Sequence, residues 1–134
     1  GAFGPNKPPL ENIDSFENKT IFYHVNDKTK FKNKSLAIAG GGDSAVDWAI
    51  ELSKISKKIF FIHRRKKLRA VPQNVEKLFD LEKKGKIEIM IPYQLDSIEG
   101  KNGIIDHLII KNMEEKKKEL NVDFFLPFLG SPQI

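Results

Sequence analysis

The sequence predicts an α/β fold: a three-layer domain with a central parallel sheet, flanking helices and a small antiparallel β-meander. Three observations predict it. Short apolar runs at 36–39, 58–62 and 87–91 have the length of buried strands. Stretches with apolar residues at helical spacing separate them, and strand, helix, strand, helix, strand with short connections implies right-handed crossovers and a parallel sheet. After residue 91 the rhythm changes to short strands joined by turns, one of them the hairpin pair Asn102-Gly103.

In order along the chain, Gly1, Gly4, Pro5, Pro8 and Pro9 punctuate an extended connector, with 1–20 assigned to it, 21–130 to the domain and 131–134 to a return connector. The run at 21–25 is apolar, and 26–34 is polar and turn-rich. Leu36-Ala37-Ile38-Ala39 runs into Gly40-Gly41-Gly42, a buried strand and a tight turn. Asp43 and Ser44 start a helix over 43–55, with Ala45, Val46, Ala49, Ile50 and Leu52 on one face. A second strand, 58–62, ends in His63-Arg64-Arg65. Pro72 opens a second helix with Val75, Leu78 and Phe79 as its apolar stripe, and Gly85 ends it. The meander takes 94–99, 104–111 and 118–122, with the charged run 113–119 as solvated surface over its second turn. A last buried strand, 123–128, is closed by Gly130 and Pro132. A start at glycine and a stop soon after Pro132 are read as the bounds of a piece of a longer protein.

Composition narrows the chemistry. With no cysteine among 134 residues, disulfides, thiolate metal sites, iron–sulfur ligation and dithiol relays are excluded. The formal net charge of +5 favours an anionic ligand, although most of the lysines read as solvated surface. No apolar run reaches the roughly 18 residues of a membrane span, no export signal is visible, and the expected location is cytoplasmic. No metal-ligand spacing and no nucleophile triad is present, so neither a metal site nor a catalytic residue is assigned. His24 and His107 are expected to be structural or surface residues.

The motif that carries chemistry is Gly40-Gly41-Gly42-Asp43-Ser44-Ala45. It fits G-x-G-x-x-A, the small-residue form of the dinucleotide fingerprint of Rossmann-type domains, and it lies between a strand and a helix as that fingerprint requires. Gly40 allows the tight turn, Gly42 lets the backbone approach a pyrophosphate, and Ala45 lets the helix pack close to the strand. The helix N-terminus offers amide donors and partial positive charge to the phosphates. Ser44 can add a hydroxyl donor, and Asp43 is expected to cap the helix or hold the turn. At the second strand end, where an NAD-selective site carries an acid for the ribose, this sequence has His63, Arg64 and Arg65, with Arg69 beyond. Arginines pair with a 2′-phosphate by charge-assisted hydrogen bonds. NADP(H) is therefore the expected nucleotide, with His63 on the adenine side. Trp48 either fills a core edge or faces a neighbouring domain, the second being preferred.

The run 39–49, then His63-Arg64-Arg65 and Arg69-Ala70, resembles the NADPH domain of thioredoxin-reductase-like flavoproteins. It most resembles the ferredoxin–NADP reductases of that architecture, and the opening Gly1-Ala2-Phe3-Gly4-Pro5 is similar to their passage from the FAD domain. Thioredoxin reductases of this build carry a Cys-x-x-Cys pair shortly before the glycine-rich strand. Here that stretch reads Tyr23-His24-Val25-Asn26-Asp27, so the resemblance implies an external electron acceptor, ferredoxin or flavodoxin. It also implies that Gly40, Gly41, Gly42, Asp43, Ser44 and Ala45 form the pyrophosphate turn, and that Arg64, Arg65 and Arg69 hold the 2′-phosphate. Phe3 would lie near FAD, most of whose contacts fall outside this chain. The whole protein would be a homodimeric oxidoreductase without nucleic-acid or membrane partners, and this segment alone would bind NADP without turnover. The competing readings are another thiol-free flavoprotein with a different acceptor, and a basic module that binds a polyanion such as RNA.

Overall fold

The computed structural model of the protein describes residues 13–128. Strands β1 (Ser35–Ala39), β2 (Lys58–Ile62), β3 (Ile87–Met90) and β7 (Phe124–Pro127) form one parallel sheet in the order β3-β2-β1-β7. Helix α1 (Asp43–Leu52) links β1 to β2, and α2 (Pro72–Lys83) links β2 to β3. Strands β4 (Gln94–Lys101), β5 (Ile104–Lys111) and β6 (Lys117–Leu120) form the antiparallel meander that carries the chain from β3 to β7.

Side-chain alternation along the strands makes the layers. Leu36, Ile38, Ile59 and Phe61 face one way and pack with Val46, Ala49, Leu52 and Leu78 of the two helices. Ala37, Ala39 and Ile62 face the other way and pack with Ile98, Leu108, Ile110 and Leu120 of the meander. Both helices therefore lie on one face of the parallel sheet and the meander covers the other. Asn102 and Gly103 both have positive φ, 55° and 80°, as a tight two-residue hairpin turn demands.

Several boundaries differ from the sequence reading. Helix α1 stops at Leu52 rather than near Ile55, because the Ser53 hydroxyl donates to the Ile50 carbonyl at 2.6 Å and the chain tightens into turns. The expected connector 1–20 includes residues that belong to the folded unit: Ile13 and Phe16 are buried against the meander core, and the Thr20 hydroxyl donates to the Gly103 carbonyl at 2.6 Å. Within the charged run, Lys117 already pairs in β6, and the turn before it closes where the Asn112 side chain accepts from the amides of Glu114 and Lys116. Phe79 is 40% exposed, since α2 buries only Leu78 completely. Trp48 is half-buried and packs against the helix-side core. Among the described residues, no helix is long and apolar enough to cross a membrane.

Candidate nucleotide site

Helix α1 begins where β1 ends, between β2 and β7. This is the carboxyl edge of the sheet, where the strand order reverses and α/β folds bind their ligands. The three glycines that make the junction serve different ends. Gly40 has φ +140°, and a Cβ there would run into the Phe128 carbonyl and lie 3.0 Å from the Ala45 Cβ, so β7 and α1 both press on it. Ala45 is accordingly buried between helix and strand. Gly41 has the His63 ring where its Cβ would be, with Nε2 at 2.5 Å and Nδ1 at 2.7 Å from that point. Gly42 is the N-cap of α1 in extended backbone, φ −95° and ψ −177°, which any residue adopts. The nearest heavy atom to a Cβ on Gly42 would be Nη2 of Arg69 at 3.6 Å, an ordinary contact.

The chain after β2 folds back over this turn. The amides of Arg69 and Ala70 both donate to the Gly41 carbonyl, at 2.6 and 3.1 Å. The amide of Val71, which caps α2, donates to the Asp43 carboxylate at 2.9 Å, and Asn74 Nδ2 donates to Asp47 Oδ1 at 3.0 Å. Asp43 thus holds the turn rather than capping α1, its carboxylate engaged with the start of α2. Sequence reading missed Asp47 and Asn74, and a separation of 27 residues leaves no local signal for them.

Of the residues singled out for the 2′-phosphate, Arg64 and Arg65 are exposed on the returning loop. Arg69 is exposed as well, and its guanidinium lies beside Gly42 at the α1 N-terminus. Among the described residues no carboxylate forms an ion pair with any of the three. Ser44 is exposed in the first turn of α1, whose amides lack intrahelical acceptors. His63 departs from expectation. It is 6% exposed, lies against Gly41, and hydrogen-bonds through Nε2 to the Lys67 carbonyl at 3.0 Å, instead of opening onto an adenine site. Burial lowers its pKa below the usual value, and the charges of Arg69, Arg64 and Arg65 lower it further against the opposing hydrogen bond to Lys67. Strand parity was the available signal, because His63 continues the inward series Ile59 and Phe61. Phe3 lies outside the described residues.

The other histidines stand apart. His107 on β5 pairs with Asp106 at 2.8 Å, which raises its pKa. His24 is exposed and lines a separate cavity of about 140 Å³ with Phe22, Tyr23, Asn26 and Lys30. That cavity lies towards the amino ends of the strands, where Phe31 packs on Phe124, and has no residue in common with the glycine turn.

A family model described as pyridine nucleotide-disulphide oxidoreductase matches residues 1–128. The chain belongs to that family. Among curated proteins it is 50% identical over 133 residues to the ferredoxin–NADP reductase of Rickettsia bellii, covering 99% of this chain and 40% of that protein. It is 52% identical over 131 residues to the ferredoxin–NADP reductase of Wolbachia pipientis wMel, covering 97% of this chain and 39% of that one. The chain spans about 40% of the length of these relatives. Among solved structures it superposes on thioredoxin reductase of Lactococcus lactis with a TM-score of 0.84 at 26% identity, covering 92% of this chain and 41% of the other. The thioredoxin reductase of Giardia duodenalis gives 0.69 at 30% identity, covering 78% of this chain and 33% of the other. The resemblance to thioredoxin-reductase-like flavoproteins and the α/β fold with its parallel sheet and antiparallel meander are both borne out.

Proposed function

We propose that this chain is the NADP(H)-binding domain of an FAD-dependent ferredoxin–NADP reductase. The observation that carries the nucleotide reading is Gly42. Nothing in the protein itself demands glycine there: the backbone is extended, the neighbouring space is open, and a serine would cap the helix better. Close approach of a ligand to the backbone accounts for it. The open space is bounded by the α1 N-terminus, the Ser44 hydroxyl and the Arg69 guanidinium, a donor set suited to a pyrophosphate. Arg64 and Arg65, without carboxylate partners among the described residues, supply donors for a 2′-phosphate.

The chain's own residues bind and orient the dinucleotide. The glycine turn would take the pyrophosphate and the basic loop the 2′-phosphate. When bound, the nicotinamide supplies hydride to a flavin held outside this chain. The stretch 23–27 has no thiol to receive electrons, which favours an external carrier, ferredoxin or flavodoxin, over a disulfide relay. The relatives being ferredoxin–NADP reductases supports ferredoxin as that carrier. The proposal extends to a homodimeric, cytoplasmic whole enzyme. Calorimetry on this chain tests the nucleotide reading. Two charge-assisted hydrogen bonds to the 2′-phosphate make NADP bind about a hundredfold more tightly than NAD. Equal affinities would refute it.

A further inference from the structure

The dinucleotide reading leaves unexplained why a histidine, more than nine-tenths buried, stands directly before two exposed arginines. Its surroundings supply a reason. The backbone of His63 is fixed on both sides: its amide donates to the Met90 carbonyl at 3.2 Å, and its carbonyl accepts from the Tyr93 amide at 2.9 Å. Its ring stands under Gly41, and Nε2 reaches the Lys67 carbonyl at 3.0 Å, with the ring nitrogen as donor. The loop then closes on the same glycine through the amides of Arg69 and Ala70. Arg64, Arg65 and Lys66 therefore project from a short loop pinned at its start, its middle and its end, the start by the His63 backbone and the middle by its ring.

We propose that His63 is a positioning residue that sets phosphate specificity: its ring locks the 64–69 loop onto Gly41, so Arg64 and Arg65 are held for the 2′-phosphate before a nucleotide arrives. The inference rests on the nucleotide reading above and assigns His63 no contact with the ligand. A loop ordered in advance does not lose its freedom on binding, and that saving appears as affinity for the group the loop touches. NAD, which lacks the 2′-phosphate, meets the loop only at its end, through the Arg69 guanidinium beside Gly42. Gly41 also gains a reason of its own, since the second position of the fingerprint is glycine here to admit the ring.

Three forms of the full chain test this: wild type, His63→Phe, which keeps a ring but removes the donor, and His63→Gln, which restores a donor at similar reach. Calorimetry with NADP and with NAD, and hydrogen exchange of the Arg69 and Ala70 amides without ligand, are the readouts. In His63→Phe, NADP affinity is expected to fall about tenfold, the equivalent of one net hydrogen bond to a pre-ordered loop. NAD affinity should change by less than about threefold, and both amides should lose protection while those of β1 keep theirs. His63→Gln should recover most of the NADP preference. A parallel loss for both nucleotides, or unchanged protection of the Arg69 and Ala70 amides in His63→Phe, would overturn the role given to His63. Wild-type chain that binds neither nucleotide would instead bring down the reading on which the proposal stands.

Discussion

Three adjacent glycines are expected to respond to the same substitution in three different ways. In Gly41→Ala the new methyl group would stand 2.5 Å from Nε2 and 2.7 Å from Nδ1 of His63, well inside contact distance, so the ring must leave. Overpacking costs about 1–3 kcal/mol, and taking the buried His63 ring away from the Lys67 carbonyl costs about 1–3 kcal/mol. A loss of the order of 3 kcal/mol in folding stability follows. Gly40→Ala should cost at least as much, because φ is +140° and the obstacle is the backbone carbonyl of Phe128, which cannot swing away as a side chain can. Gly42→Ala should leave stability within about 1 kcal/mol of wild type, since a poorer N-cap is offset by a less flexible unfolded chain. It should nonetheless lower NADP affinity about a hundredfold, by holding the pyrophosphate away from the turn and forfeiting charge-assisted hydrogen bonds. Urea unfolding and calorimetry on the three variants measure both quantities. In the double variant Gly41→Ala/His63→Ala the methyl group has room, so the two changes should couple by more than about 1 kcal/mol. Gly42→Ala that unfolds like Gly41→Ala, or binds NADP like wild type, would refute the reasoning, as would additive behaviour of the pair.

Arg64→Ala is expected to lower NADP affinity about tenfold or more while leaving NAD nearly unchanged, and a parallel loss measured by calorimetry would mean misfolding instead. Asp43→Ala should destabilise the chain by about 1 kcal/mol in urea, having lost the bond to the Val71 amide at the α2 N-terminus; Asp43→Asn, which keeps the acceptor, should recover much of it. Histidine-ring NMR should find His63 titrating below the usual value near 6.5 and His107 above it. The fold prefers neutral His63, so its contribution is lost as pH falls below about 6.5. The fold prefers charged His107, so its contribution is complete below about 6.5 and is lost as pH rises through its folded pKa. Midpoints in the reverse order would refute the placement of both rings.

What could be read from the sequence was what local pattern determines. The fingerprint, the parallel strands and the Asn102-Gly103 turn each depend on a few consecutive residues. What could not be read depends on which far residue arrives beside which. Phe79 sits at helical spacing with Val75, yet α2 has only enough neighbour to bury Leu78. Ile13 and Phe16 follow a stretch rich in proline and glycine and look like part of a connector, but they fill the meander core from outside the sheet. His63 groups with Arg64 and Arg65 by adjacency in sequence, whereas its ring continues the helix-side series of Ile59 and Phe61 and the chain has left β2 before the two exposed arginines. The faces taken by the helices and the meander followed from Ala37 and Ala39, small residues that let the meander pack close, against Leu36 and Ile38 on the helix side.

The same distinction sorts the residues of the site. Asp43 is occupied by the Val71 amide, the Gly41 carbonyl by Arg69 and Ala70, the His63 ring by Gly41 and Lys67, and Ala45 by Gly40. Each has its partner within the chain, so each builds the site. Gly42 with its open approach, the Ser44 hydroxyl, and the guanidinium groups of Arg64, Arg65 and Arg69 keep their binding capacity unspent among the described residues. Among the described residues none of these side chains, nor the bare Cα of Gly42, answers a structural demand, and all of them can donate to phosphate or admit it. The fingerprint therefore divides into one group that fixes the geometry and another that meets the ligand. Substitution in the first should register in folding and in loop order, and substitution in the second in nucleotide affinity alone.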